Sequence, residues 1–123
     1  MNNSITSGTH RERDILRRLA FQVREIAELP EQDYRRRCLQ SLNSLKPLRP
    51  VVLCYPEGAW GELLPGSELE CEDEKMRGWE WNLRSRLYQW TTIRDDSVVE
   101  PYFDIHWQVN RGDLGVPIDF SHS

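Results

Sequence analysis

The sequence predicts an α/β fold in which two N-terminal helices precede a strand–helix–strand unit. Three observations carry this. Ile15, Leu16, Leu19, Val23, Ile26 and Ala27 recur at helical spacing, with Arg and Glu on the opposite face. Val51–Tyr55 is a short continuous apolar run rich in β-branched residues and flanked by Pro50 and Pro56, the pattern of a buried strand. Met76, Trp79, Leu83, Leu87 and Trp90 then follow at spacings of 3, 4, 4 and 3, ahead of a second β-like run, Val98–Val109.

Taken in order, residues 1–8 read as a disordered leader rich in Asn, Ser and Thr. Thr9 followed by Glu12 makes a capping box that starts the first helix, and Pro30 stops it. Glu31 to Leu45 predicts a second helix with Tyr34, Cys38, Leu42 and Leu45 on one stripe, closed by Pro47 and Pro50. Pro56 to Gly66 reads as a loop. Glu70, Glu72, Asp73 and Glu74 place negative charge at the start of the third helix, and Arg84 and Arg86 complement its dipole further on. Asp95-Asp96 marks a turn, Pro101 bends the second strand, and residues 119–123 read as a tail. A strand–helix–strand crossover of this length makes a right-handed parallel pair. Two strands leave two open edges, which predicts self-association or a larger assembly.

The chain has 123 residues, enough for one small domain with a single core. Hydrophobic residues make up 38% and charged residues 29%, an ordinary globular balance. A net charge of -4 and a pI near 5.4 argue against non-specific binding to nucleic acid. All the basic residues except Lys46 and Lys75 are Arg, suited to bidentate carboxylate pairing and aromatic stacking. Residues 1–10 lack the apolar stretch of a secretory signal, and no run approaches the roughly 20 apolar residues that span a bilayer. Cys38, Cys54 and Cys71 are an odd set without zinc-ligand spacing, which predicts reduced thiols in a cytoplasmic protein and no metal site.

Two places offer chemistry. Glu57 and Trp60 lie just beyond the C-terminal end of the first predicted strand, where ligands of parallel α/β proteins bind. Glu57 offers an acid or base and Trp60 a stacking surface; the plainer alternative is a turn with Trp60 packed as a lid on the core. Asp104 and His106 share a face of the second predicted strand, as a proton-transfer pair or as the solvated side of an edge strand. The acidic run 70–74 lacks the ligand spacing of a calcium loop. Arg35-Arg36-Arg37 reads as a solvated helix face, and Arg111-Gly112-Asp113 as a chance tripeptide. No Gly-rich phosphate loop, nucleophile elbow or Cys/His nucleophile pair is present.

Five runs together carry a family resemblance: Arg49–Cys54, Leu63-Leu64-Pro65, Leu69–Asp73, Leu83–Trp90 and Asp95–Pro101. They resemble the N-terminal portion of bacterial uroporphyrinogen-decarboxylase-like proteins, a superfamily shared with corrinoid (cobalamin)-dependent methyltransferases. The resemblance covers roughly residues 10–118, the front third or so of such a protein. It implies a partial TIM-barrel-like segment, with Val51–Tyr55 as the first barrel strand and the second within Val98–Val109. The decarboxylases carry an R-Q-A-G-R-Y-L-P segment after the first strand, whose arginines hold substrate carboxylates. Tyr55–Pro65 has no Arg and adds Glu57 and Glu62, so decarboxylation is a poor fit and a methyltransferase-like reaction a better one. Phe103-Asp104-Ile105 partly matches an F-S-D-I-L segment of the decarboxylases, which makes Asp104 the catalytic candidate. Glu57, Trp60 and His106 are then the substrate-binding candidates, lining a small-molecule pocket only in a full-length protein. A corrinoid or zinc is implied for a full-length relative alone, and no cofactor for this chain.

The sequence thus reads as a truncated or N-terminal part of a uroporphyrinogen-decarboxylase-like protein, not catalytic alone. The alternative is a small non-catalytic α/β protein–protein interaction module. Neither reading calls for a nucleic-acid or membrane partner.

Overall fold

The computed structural model describes residues 9–105, and these form a helical assembly without a strand. The order is α1 (His10–Ala27), α2 (Pro30–Asn43), a 3-10 turn Glu57–Ala59, α3 (Trp60–Leu63), a 3-10 turn Gly66–Glu68 and α4 (Glu74–Tyr88). A π-helical turn, Gln89–Ile93, extends α4. The α/β fold and the TIM-barrel-like segment expected from the sequence are therefore not what the described residues adopt.

Helix α1 begins as its sequence dictates. The Thr9 hydroxyl accepts from the Glu12 N–H and the Glu12 carboxylate accepts from the Thr9 N–H, a complete capping box. Glu12, Ile15, Leu19, Val23 and Ala27 form its buried face. That stripe packs on α4, and the two helices with Cys71 and Val99 make the core: Ile15, Leu19, Val23 and Ala27 meet Met76 and Leu83. Trp79, Leu87, Trp90 and Phe103 pack around it half-buried.

Helix α2 starts at Pro30, where a missing N–H costs nothing. It ends in a Schellman arrangement: Lys46 N–H donates to Ser41 O and Leu45 N–H to Leu42 O, with Leu45 in the left-handed conformation at φ 59°. The predicted stripe of Tyr34, Cys38, Leu42 and Leu45 is mostly not a core face. Cys38 is buried, but Tyr34 and Leu42 are exposed and Leu45 is 89% exposed. Polar groups seat this helix instead. The fully buried Gln32 carboxamide oxygen accepts from Val99 N–H at 2.9 Å. Arg35 donates to Ser97 O and lies 4.5 Å over the Trp90 ring, and Arg36 grips Glu100. Of the triple-arginine run, only Arg37 is on the solvated face that the sequence suggests.

The two predicted strands are extended segments without a ladder. Val52, Leu53 and Tyr55 are exposed rather than buried, and Val98–Ile105 pairs with no neighbouring strand among the described residues. Residues 106–109 of the second predicted strand lie outside the described residues. The physical reason is that side chains take the places a neighbouring strand would fill. Asp96 accepts from Val52 N–H through its carboxylate and donates its own N–H to Val52 O, both at 2.8 Å. Asp95 accepts from Cys54 N–H at 2.8 Å, and Gln89 donates to Cys54 O at 2.7 Å. High β-propensity alone does not create a strand, because a strand needs a partner for its backbone groups.

Candidate functional site

Four carboxylates sit where chemistry is most readily sought, at buried or bridging positions. Glu12 lies at the start of α1 and also accepts from Glu72 N–H at 2.7 Å and Asp73 N–H at 3.0 Å. It thus ties the N-terminus of α1 to that of α4, where both helix dipoles favour an anion. The N–H groups of Asp73, Glu72 and Thr9 hold its carboxyl below the usual carboxylate range.

Glu80 is fully buried in α4, one turn from Met76 and Leu83. Burial by itself pushes its carboxyl up. The N–H groups of Glu70 (2.8 Å) and Cys71 (2.9 Å), with Arg84 Nε at 2.8 Å, more than offset this, and the net shift is downward. Its oxygens hold the chain that enters α4. Cys71, buried beside it, has its thiol pushed up to about 12, first by burial and then by the Glu80 carboxylate. A thiol in that state is not a nucleophile at neutral pH.

Asp95 behaves in the same way: burial raises its carboxyl, and donors from Cys54, Ser97 and Gln89 bring it down overall. Asp96 is held down to about 2, chiefly by Arg49 and then by Val52 N–H. The Arg49 contact is a two-pronged pair at 2.8 and 3.0 Å, and the same guanidinium lies over the Tyr34 ring of α2. A general acid or base needs a pKa drawn towards neutrality. All four groups are shifted the other way and saturated with donors, so they are latches of the fold.

The sequence-predicted site residues are not assembled into a constellation. Glu57 is exposed at φ 48°, just ahead of Gly58. Trp60 packs edge-on against Trp81 at 5.6 Å and Tyr88 at 5.9 Å, a lid on the outer side of α4. Asp104 is exposed, and His106 lies outside the described residues. Among the described residues, no hydrogen bond or ion pair joins Glu57 or Asp104 to another side chain, and no group of three or more His, Cys, Asp or Glu is placed to hold a metal ion. The acidic run works at the helix start: the Asp73 side chain caps α4 by accepting from Met76 N–H, and Glu70 pairs with Arg84 and Arg18. No described helix is long and apolar enough to cross a membrane.

The sequence reading missed a groove of about 460 Å³ between α1, α4 and residues 101–105. Leu16, Val23, Met76, Trp79, Leu83 and Phe103 form its apolar floor. Arg13, Arg17, Arg24 and Arg86 line it as well, and among the described residues no acidic one does. A signal existed in the chain. On a helix turning about 100° per residue, positions 13, 17 and 24 fall within about 40° of one another, beside the core stripe. No family model, curated protein or solved structure matches the chain.

Proposed function

We propose that this chain is a non-catalytic helical segment that associates with further polypeptide, as the N-terminal part of a uroporphyrinogen-decarboxylase-like protein related to the corrinoid methyltransferases. The observation behind the associating role is the outward-facing apolar surface of the extended segments. Val52 is 65% and Tyr55 69% exposed, although their stretch of chain is pinned in place. Apolar side chains on a fixed, extended backbone, with the Leu53 and Tyr55 N–H groups unpaired among the described residues, suit pairing with another segment. The family part of the reading rests on the sequence runs around Arg49–Cys54, Leu63–Pro65 and Asp95–Pro101.

Co-expression with the remaining, C-terminal portion of a bacterial uroporphyrinogen-decarboxylase-like protein tests the reading. The two pieces are expected to co-purify, with binding lost in a Val52→Glu/Tyr55→Glu variant. The isolated chain is expected to turn over neither uroporphyrinogen nor methylcobalamin. Turnover by the isolated chain, or failure of the pieces to associate, contradicts the reading. A free-standing interaction module is the second reading, favoured by the arginine-lined groove. It gains if the isolated chain is a monomer with a cooperative unfolding transition and the co-expressed piece is not bound.

A further inference from the structure

We infer that the groove between α1 and α4 is a docking site for an acidic amphipathic helix. The inference deepens the associating role proposed above by naming a partner and a second surface. Three features of the groove point to this occupant. Its floor is apolar along the length of α1 from Leu16 to Val23, where an i, i+3, i+4 stripe of a partner helix can lie. Arg13 to Arg24 spans eleven residues, about 16 Å at 1.5 Å per residue, close to three turns of a second helix. Among the described residues, the charge lining that floor is of one sign. Arg13, Arg17 and Arg24 follow one edge of α1, and Arg86 stands on the α4 side, where it donates to Tyr102 O at 2.7 Å.

The arginines differ in what already occupies them. Arg24 pairs with Glu28 at 2.8 Å. Arg13 and Arg17 are exposed and form no ion pair among the described residues. They are therefore available to carboxylates flanking a partner's apolar stripe, and Arg suits that role through its two-pronged geometry. The groove is open along one side, and four cations spread along it match a row of acids better than the single head group of a small amphiphile.

The test is a ¹⁵N–¹H NMR titration of the full chain with a synthetic 14-residue helical peptide carrying leucines at i, i+3, i+4 spacing and flanking glutamates. Amide shifts are expected in α1 and α4 around Leu16, Val23 and Trp79, with affinity falling at least tenfold in Arg13→Ala/Arg17→Ala. The same peptide with lysines for glutamates is expected to bind at least tenfold more weakly. Equal binding of the two peptides, or no shift at millimolar acidic peptide, overturns the inference. So does dodecanoate shifting these amides where the peptide does not, which points to a small amphipathic anion. Contacts from residues beyond 105 to Leu16 and Val23 in the unbound protein also overturn it, in favour of the chain's own continuation. Any of these results leaves the extended-segment surface untouched, because that surface is tested separately by co-purification.

Discussion

Replacing Glu80 by Gln should cost the protein about 3 kcal/mol, a large share of the roughly 5–15 kcal/mol that holds an ordinary domain folded. The side chain is fully buried and accepts three hydrogen bonds, from Glu70 N–H, Cys71 N–H and Arg84 Nε. Gln keeps the shape but turns one acceptor oxygen into an NH₂ that faces a donor. It also removes the charge that makes each bond worth roughly 1.5–3 kcal/mol. Breaking a buried ion pair from one side costs roughly 3–5 kcal/mol. The lower end applies here, because Arg84 keeps Glu70 as a second partner at 2.6 Å and is itself 24% exposed. With a urea slope of about 1.5 kcal/mol/M, the midpoint should fall by about 2 M. Urea unfolding followed by circular dichroism reads this directly, with Glu25→Gln on the exposed side of α1 as a control expected to change stability by less than about 0.5 kcal/mol. A Glu80→Gln midpoint within about 0.3 M of the parent protein's would refute the assignment of Glu80 as a latch.

The acid limb of stability should belong largely to the same carboxylates. Asp96 is held down to about 2 in the folded protein by Arg49 and Val52 N–H. Its contribution is therefore fully present above the unfolded value near 4 and is lost as the pH falls towards 2, so Asp96→Asn should flatten the stability profile in that window; an unchanged acid limb contradicts this. Leu45 sits in the left-handed conformation with its side chain 89% exposed, so Leu45→Gly relieves about 1 kcal/mol of backbone strain and loses little packing. After the entropy that Gly adds to the unfolded chain, a gain of about 0.5 kcal/mol is expected by urea unfolding, and a net loss contradicts it. Of the three cysteines, Cys38 and Cys71 are buried and Cys54 is exposed. One thiol should therefore react quickly with a disulfide reagent in the native protein and vanish in Cys54→Ser; two fast thiols would contradict the packing.

Helices α1 and α4 were legible because local rules and tertiary packing agree there. The Thr9–Glu12 box, the spacing of Ile15, Leu19 and Val23, and the acids ahead of Met76 all act within a turn or two of chain. The strands were misread because Val51–Tyr55 is composed like a buried strand, while its fate depends on what lies beside it. The groups that decided it, Asp95, Asp96 and Gln89, are about 40 residues away and read locally as a turn and a helix end. Glu80 was findable in principle: it falls on the apolar stripe of α4 between Met76 and Leu83, where an unpartnered acid is costly. Gln32 was not, since nothing near it in sequence announces that it caps Val99. Of the candidate site, Trp60 packs on Trp81 and Tyr88 outside the core cluster, and the groove arginines looked like the solvated side of α1.

Side chains rather than a sheet hold the extended segments: the Asp95 and Asp96 carboxylates at residues 51–55, and Gln32, Arg35 and Arg86 at residues 97–102. Amide hydrogen exchange across residues 51–55 tests it most directly. Val52 and Cys54 donate to Asp96 and Asp95, whereas Leu53 and Tyr55 have no acceptor among the described residues. Slow exchange at Val52 and Cys54, fast exchange at Leu53 and Tyr55, and loss of the contrast in Asp95→Ala/Asp96→Ala is the predicted result. Uniform protection from Val51 to Tyr55, as in an interior strand, would contradict it.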